Sequence, residues 1–356
     1  MLLGVLLVTP VGLPRPAALV HLFLLLVVLG LSLRFRVAAL AVGALLLAGA
    51  HMRVDMIGVG VSDVLHTTQR AIGVLQQGGN PYLLGTPGTL PDSPPFPYGP
   101  LALLWYVPVA EPRMLELGIS LGLLAMLALR GRLIGLAIFA VAPPLLLTAS
   151  DGSNDHSAGL LLLVALLVAR RSPDWGMVLL AAAVAFKPYA LAWLVPAVAW
   201  AGLSALPPFL VMSVAVWGPA VVLWGERAIL DSISRAETLH TGSYYSLGQA
   251  VEGLTGRSWE PALFNRLRLG LGAAVAGLSL LWVRSYRGMV IAGMFIYLVT
   301  LFAGYWSTFA YFTAILPTLC WYIDEWLGVA RARVSWPTDP IGRLTAAVDR
   351  RWPVVK

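Results

Sequence analysis

A series of apolar runs, separated by short polar linkers, extends along almost the whole of this sequence. The runs cover residues 2–13, 17–33, 37–52, 114–129, 133–149, 157–169, 175–186, 188–203, 206–224, 262–283, 288–304 and 308–323. Hydrophobic residues make up 59% of the chain and charged residues only 12%, about half the charged share of a soluble domain. Several runs are shorter than the roughly 20 residues of a straight membrane span, so we expect about ten to twelve transmembrane helices. The sequence therefore predicts an all-α integral membrane protein, a polytopic helical bundle.

Arginine pairs between the runs indicate which way the bundle faces. They stand at Arg34 and Arg36, Arg130 and Arg132, Arg170 and Arg171, and Arg284 and Arg287. Short basic linkers lie on the cytoplasmic side of membrane proteins, so we interpret the net charge of +7 as this bias and not as nucleic-acid binding. The first outer loop then covers 53–112 and the late outer loop covers 225–261. We expect 1–325 to form one polytopic transmembrane domain and 326–356 to form a basic cytoplasmic tail.

The first outer loop begins with an amphipathic stretch at 57–75. Mostly apolar residues recur on one side at the spacing of a helix: Ile57, Val61, Val64, Leu65, Thr68, Ile72 and Leu75. Asp63, His66 and Arg70 share the other side, because residues three and four apart are neighbours on a helix. The pattern predicts a helix at the membrane surface with its polar face toward a cavity. A solvated ion pair of Asp63 with Arg70 is the plainer interpretation, and Asp55 is an alternative acidic candidate.

Lys187 is the most unusual charge in the chain. It is one of only two lysines, and it stands between two apolar runs directly before Pro188. A lysine at such a position is costly unless it reaches water or an anion, and the proline interrupts the helix beside it. Two interpretations are open: the ammonium group binds a lipid phosphate, or it snorkels to the membrane interface.

Two further groups of polar residues are weaker candidates. Asn154 and Asp155 precede the run at 157–169, where a helix cap is the default role and a sugar contact is the alternative. The late outer loop contributes His240, Tyr244 and Tyr245. Such side chains suit sugar recognition and an interfacial aromatic belt equally well.

Four stretches follow one another in an order that resembles a family of membrane glycosyltransferases. They are GGNPY with FPYGPLALLWYVP, SDGSNDHSAGLLLLVALLVARR, AVAFKPYALAWLVPAV, and YYSLGQAVEGLTG. The chain is similar to the GT-C superfamily, and within it to the polyprenol-phosphate-mannose-dependent mannosyltransferases, glycosyltransferase family 87. The likeness extends from Asp63 to about Gly256. The second stretch departs from the family pattern, since its polar turn lacks the glutamine of GQxN.

The resemblance implies a GT-C-like fold with its active site on the extracytoplasmic face of the cell membrane. It implies inverting transfer of a sugar, mannose in that family, from a polyprenyl-phosphate donor to a lipid or glycan acceptor, with no cofactor or metal. It also implies that Asp63 is the general base, with Asp55 as the alternate. We expect contacts to the donor phosphate from Lys187, Arg70 and His66, and contacts to the substrate from Asn80, Tyr82, Tyr98, Asn154, Asp155, His240, Tyr244 and Tyr245.

Two other functions stay open on sequence grounds. One is a multi-span transporter of lipids or small molecules, and the other is a non-catalytic GT-C-like partner protein. The carboxylates of the predicted outer loops and the lack of a visible internal repeat favour the enzyme over a transporter built from duplicated halves.

Overall fold

The computed structural model describes residues 38–85, 94–238, 245–305 and 307–329. Every regular element in these ranges is a helix, which confirms the all-α part of the prediction. The α-helices are α1 (Ala38–Asp55), α2 (Asp63–Gln76), α3 (Pro100–Tyr106), α4 (Pro112–Leu129), α5 (Leu133–Val141), α6 (Pro143–Leu147), α7 (Asp155–Ala169), α8 (Pro173–Phe186), α9 (Leu194–Ala201), α10 (Leu206–Trp224), α11 (Glu226–Thr238), α12 (Leu247–Thr255), α13 (Pro261–Trp282), α14 (Tyr286–Phe302) and α15 (Ala310–Trp326). Three short 3-10 helices are Pro81–Leu83, Pro188–Trp193 and Leu203–Ala205.

Some of the predicted features fall outside the described residues. They are the apolar runs at 2–13 and 17–33, the linker with Arg34 and Arg36, the candidates His240 and Tyr244, and the basic tail beyond residue 329.

Within the described part of the chain, two helical segments are long and apolar enough to cross a membrane. They are α4 and the continuous stretch Leu203–Trp224, which joins the third 3-10 helix to α10. Residues 203–224 carry no charged side chain. Only 11% of the most apolar 18 residues of this stretch are buried inside the structure. A helix with so much open apolar surface is stable only in apolar surroundings. These segments support membrane association, while the larger number of spans and their sidedness stay predictions.

Proline and glycine explain two differences between predicted and observed helices. The apolar run at 133–149 is not one helix but two, α5 and α6, because Pro143 and the proline after it have no N–H for the helical ladder. The helix predicted at 57–75 begins only at Asp63. The residues before it form a turn in which Gly58 has a φ of +83°, a conformation that favours glycine.

The described residues of the predicted late outer loop contain two helices that were not predicted from the sequence. α11 follows Gly225, whose φ of +81° ends the preceding helix. Its sequence is polar on average, and only one side is buried, through Ile229 and Ser232. α12 is also short and amphipathic. Both helices have few apolar residues, so the search for apolar runs did not detect them.

The chain divides into two compact units. Among the described residues, unit one contains 38–62, 111–160 and 312–329. Here α1 packs against α4, α5 and α6, and α4 packs against α5. α15 comes very close to α5 at Gly135, where a Cβ atom would collide with the backbone carbonyl oxygen of Cys320. Glycine is therefore required at this helix crossing.

Unit two contains the described residues of 63–110 and 161–311. α8 and α10 pack along each other, and α14 packs against α13 and the 3-10 helix Pro188–Trp193. α2 lies on α3 and on the 3-10 helix Pro81–Leu83, while α3 also contacts α8. The amphipathic helix of the first outer loop is thus connected through α3 to the end of α8, where Lys187 stands.

Candidate functional site

Three of the sequence motifs meet in unit two. Tyr82 of GGNPY is fully buried, and its hydroxyl donates to the backbone carbonyl of Tyr98 of FPYGP (3.0 Å). The ammonium nitrogen of Lys187 of FKPY lies 5.5 Å from the centroid of the Tyr98 ring. The first and last of these motifs are far apart in the sequence, so only the tertiary fold brings them together.

Gly99 allows FPYGP to approach the end of α8. Its N–H donates to the backbone carbonyl of Phe186 (3.2 Å), and a Cβ atom at this position would collide with the carbonyl of Ala185. The ring of Phe186 in turn contacts the ring of Trp105 on α3, with centroids 6.1 Å apart. These contacts join the start of α3 to the end of α8 and hold Lys187, the next residue, beside Tyr98.

Lys187 is enclosed by protein. It is only 4% exposed, and its ammonium nitrogen lies 5.5 Å from the ring centroids of both Tyr98 and Tyr189. Its backbone N–H closes the last turn of α8 on Ala183 (2.9 Å), after which Pro188 stops the helix. A cation over an aromatic face gains about 0.5–2 kcal/mol per contact. This burial argues against the interpretation that Lys187 simply snorkels to an open surface.

Further tyrosines extend this environment. The Tyr189 hydroxyl donates to the Tyr311 hydroxyl (3.1 Å), and the Tyr297 hydroxyl donates to the Tyr311 backbone carbonyl (2.8 Å). Tyr189 is half-buried, whereas Tyr297 and Tyr311 are buried. We call Tyr98, Lys187, Tyr189, Tyr297 and Tyr311 the lysine–tyrosine cluster. A largely desolvated ammonium group is a chemical group that can bind a phosphate.

The sequence analysis named only two members of the lysine–tyrosine cluster. Tyr189 had a local signal, because it follows the proline of FKPY. Tyr297 and Tyr311 had none, since α14 and the start of α15 read as ordinary apolar helices. Their role depends on the packing of α14 against the 3-10 helix Pro188–Trp193.

The polar face that was predicted for the helix at 57–75, now α2, is exposed. Asp63, His66 and Arg70 are exposed, and the buried side chains of α2 are Leu65, Thr67, Thr68 and Ala71. Asp63 is the first residue of α2, and its Oδ1 accepts a hydrogen bond from the Val64 N–H (2.9 Å). The positive end of the helix dipole favours an ionised carboxylate there. Asp63 thus has the access that a general base needs, together with the geometry of a helix cap.

Backbone contacts fix the two loop motifs to the corner between α10 and α11. The Asn80 side chain donates to the Trp224 carbonyl (2.8 Å) and accepts from the Tyr82 N–H (3.0 Å). Ser232 on α11 donates to the Phe96 carbonyl (2.9 Å). Burial raises the pKa of Tyr82 above its ordinary value, so the phenol is neutral. Asn80 and Tyr82 therefore anchor the loop that carries GGNPY, and their contacts with substrate stay predictions.

Asn154 and Asp155 lie in unit one at the start of α7, and both are buried. The Glu116 carboxylate of α4 accepts hydrogen bonds from the Ser157 backbone N–H (3.0 Å) and the Ser157 hydroxyl. An acid at a helix start satisfies N–H groups that have no helical partner. Glu116 is thus a cap provided by another helix, and it was not predicted.

Asp55 and Tyr245, two of the predicted site residues, each make a side-chain contact that needs no ligand. The Asp55 Oδ2 lies 3.3 Å from His51 Nε2 at the exposed end of α1, in unit one. Tyr245 is half-buried in unit two, with its ring 6.4 Å from that of Phe309, and burial raises its pKa. Asp55 as the alternate base and Tyr245 as a sugar contact stay predictions.

Arg53 is fully buried in unit one and was not predicted as an important residue. The two prolines after Ala142 have no N–H, so the carbonyls of Phe139 and Ala140, four residues before each of them, have no helical donor. The Arg53 guanidinium donates to both carbonyls, at 2.7 Å and 3.3 Å. Its other hydrogen bonds go to the Gly49 carbonyl (2.9 Å) and the Ser120 hydroxyl (2.7 Å). Arg53 thus replaces the backbone donors that are missing at a helix break.

The opposite end of α5 has a matching acid. The carboxylate oxygens of Asp324 accept from the N–H groups of Ile134 (3.1 Å) and Gly135 (2.9 Å). An acid at the start of a helix and a base at its end both interact favourably with the helix dipole. The buried Arg53 and Asp324 therefore have a structural explanation in α5.

Comparison of this chain with protein-family models, with curated proteins and with solved structures finds no match. The family resemblance therefore stays a prediction from the sequence motifs.

Proposed function

We propose that this protein is a membrane glycosyltransferase that transfers a sugar from a polyprenyl-phosphate donor to a lipid or glycan acceptor on the extracytoplasmic face. Mannose is the sugar that the family resemblance favours. The observation that carries the proposal is the meeting of GGNPY, FPYGP and FKPY around Lys187 in unit two. These motifs belong to two of the four stretches that resemble the glycosyltransferase family, and the fold brings the first stretch beside Lys187 although the two are distant in sequence.

The donor phosphate has a suitable partner in the lysine–tyrosine cluster. In the transfer, the acceptor oxygen forms a bond to the anomeric carbon, and the bond from that carbon to the phosphate oxygen breaks. The polyprenyl phosphate leaves with the bonding electrons, so negative charge grows on it. The Lys187 ammonium group stabilises this charge. Its low exposure strengthens the interaction because water competes less.

The acceptor hydroxyl must lose its proton as it attacks. Asp63 takes this proton as general base in the proposal, since it is exposed at the start of α2. His66 and Arg70 lie on the same exposed face of α2 and contact the donor phosphate or orient the acid. Attack from the side opposite the phosphate inverts the configuration at the anomeric carbon.

Sugar transfer by the purified protein tests the proposal. The protein in lipid nanodiscs is incubated with radiolabelled polyprenyl-phosphate mannose and a membrane lipid extract, and labelled products are separated by chromatography. A time-dependent labelled product that requires the protein supports the enzyme. Absence of product with every polyprenyl-phosphate sugar, together with uptake of a lipid into sealed vesicles, would instead support the transporter. Absence of both activities would favour the non-catalytic partner.

Replacing Lys187 separates phosphate binding from general packing. We expect Lys187→Met to weaken binding of the polyprenyl-phosphate sugar by about 10- to 100-fold, because one charge-assisted hydrogen bond is lost. Methionine keeps the length and apolar body of the lysine stem. Lys187→Arg should recover part of the affinity, since it restores the charge with a different shape. Binding is measured by isothermal titration in nanodiscs, and unchanged affinity of the methionine variant would remove Lys187 from the site.

Cysteine labelling tests the predicted sidedness in intact cells. Gln77→Cys and Ser258→Cys lie at exposed positions of the two outer loops, and Asp174→Cys and Arg287→Cys lie at exposed positions of the arginine linkers. Cys320 is buried and gives a low background. A membrane-impermeant maleimide should label the first pair and not the second. The reverse pattern would put the open face of α2 in the cytoplasm and contradict an extracytoplasmic site.

A further inference from the structure

The short helix α12 packs on the turn after α14 with the side that carries Glu252. The Gly248 N–H donates to the Gly304 carbonyl (3.1 Å). The Ser246 hydroxyl, directly before the helix, donates to the Tyr305 carbonyl (2.6 Å). A Cβ atom at Gly248 would crowd Tyr305, so glycine permits this close approach. The Glu252 carboxylate accepts a hydrogen bond from the Tyr305 hydroxyl (3.5 Å). These contacts fix α12 to the turn.

The leucines of α12 lie on the opposite side and face outward. Leu247 and Leu254 are two helical turns apart, and Ala250 lies between them on the same side. Leu254 is 88% exposed and Leu247 is 39% exposed, and Ala250 is exposed as well. A surface helix of a water-soluble protein has the reverse orientation, with its apolar side toward the protein core. The orientation of α12 therefore fits apolar surroundings.

A tryptophan and an arginine follow these leucines. Trp259 is exposed, and its position is fixed by two hydrogen bonds: its backbone N–H donates to Glu252 (2.9 Å) and its indole N–H donates to the Thr255 hydroxyl (3.3 Å). Arg257 is exposed in the same linker. Tryptophan is enriched where a membrane meets water, and an arginine there lays its stem along apolar surface while its charge reaches the headgroups.

The bilayer is the apolar phase that this unit already requires. The segment Leu203–Trp224 belongs to the same unit and leaves most of its apolar surface open. On α13, which directly follows Trp259 and Glu260, the exposed leucines Leu263, Leu267 and Leu271 recur every four residues and so share one side. A row of exposed leucines over two consecutive helices exceeds the scattered apolar residues of an ordinary surface.

We propose that α12 is an interfacial anchor that contacts membrane lipid. Leu247, Leu254 and Trp259 lie among the outer parts of the acyl chains, and Arg257 reaches the lipid headgroups. Helices of this kind insert their apolar side about 5–10 Å into the boundary between headgroups and acyl chains. Because α12 is hydrogen-bonded to the turn after α14, the anchor holds that turn at the membrane surface. The proposal depends on the membrane association of the protein but not on sugar transfer.

Spin labels on the full chain in lipid nanodiscs test this insertion. Leu247→Cys and Leu254→Cys carry the label in separate samples, and Asp231→Cys, at an exposed position of the polar helix α11, is the matched control. Cys320 is buried and gives a low background. We expect the labels at 247 and 254 to collide more often with oxygen, which concentrates among acyl chains, than with a water-soluble nickel chelate. The control label should show the reverse order.

Two results would overturn the anchor. More frequent collisions with the nickel chelate at both 247 and 254 would place this side of α12 in water. Rare collisions with both reagents would mean that protein covers the leucines, and dipolar broadening between the labels would identify that protein as a second copy of this chain. Both leucine positions are exposed, so the label does not disturb packing. No sugar donor is present in the measurement, so failure of the anchor and failure of the proposed transfer are separate results.

Discussion

Asp63→Asn is expected to lower the rate of sugar transfer by about two to four decades, with nearly unchanged thermal stability. Asparagine keeps the shape and the capping oxygen that accepts from Val64, but it cannot take the proton of the acceptor hydroxyl. Asp63 is exposed at the start of α2. A purely structural aspartate at this position would affect stability slightly and the chemical step not at all.

Two further aspartates complete this experiment. Asp231→Asn is the matched control, because Asp231 is an exposed helical acid of unit two whose carboxylate lies 3.9 Å from Arg227; its activity should stay near wild type. Asp55→Asn tests the alternate base. Rates are compared under single-turnover conditions, so that product release does not hide the chemical step. Full activity in Asp63→Asn with loss in Asp55→Asn would move the base to α1, and full activity in both would exclude the proposed mechanism.

Arg53→Met is expected to destabilise the protein by about 3–5 kcal/mol, a large part of the stability of an ordinary domain. The guanidinium is fully buried and is the donor for the Phe139 and Ala140 carbonyls. Methionine occupies similar space but leaves these buried acceptors without a partner. The free energy of unfolding is measured by denaturant titration in detergent micelles. Arg257→Met, which removes an exposed arginine, should change it by less than about 0.5 kcal/mol.

Restoring the backbone N–H groups that the two prolines lack tests whether Arg53→Met loses stability because the Phe139 and Ala140 carbonyls have no donor. In a background with Pro143→Ala and Pro144→Ala, the backbone itself can donate to the Phe139 and Ala140 carbonyls. The cost of Arg53→Met should then fall by at least about 1 kcal/mol, which is the coupling energy of the cycle. The same cost in both backgrounds would mean that Arg53 stabilises the fold through other contacts, such as its position 4.9 Å over the Phe139 ring.

Sequence reasoning located most helices and the polar stretches between them. The helix starts were well marked, since α3, α4, α8 and α13 each begin at a proline, a residue that suits the first helical position. It located helices less well where no apolar run marked the helix or where prolines interrupted an apolar run. α11 lacked an apolar run, and the run at 133–149 contained a proline pair whose effect on α5 and α6 was overlooked.

The candidate site was predictable only in part. Lys187 stood out because a charge between apolar runs is costly, and Tyr98 came with the motif around it. Tyr297 and Tyr311 were not predictable, because their contact with Tyr189 joins separate helices. The same holds for Glu116 and Arg53, which bind groups on other helices and have no local pattern of their own.

The sequence by itself determined the all-helical character, the break at Lys187 and Pro188, and the polar face that carries Asp63, because each depends on residues within a few turns of one another. The tertiary structure alone decided which polar groups meet inside each unit. Buried donors and acceptors must find partners wherever packing brings them. That requirement joins Arg53 to the carbonyls released by a distant proline pair, and it places Lys187 among tyrosines from three separate segments.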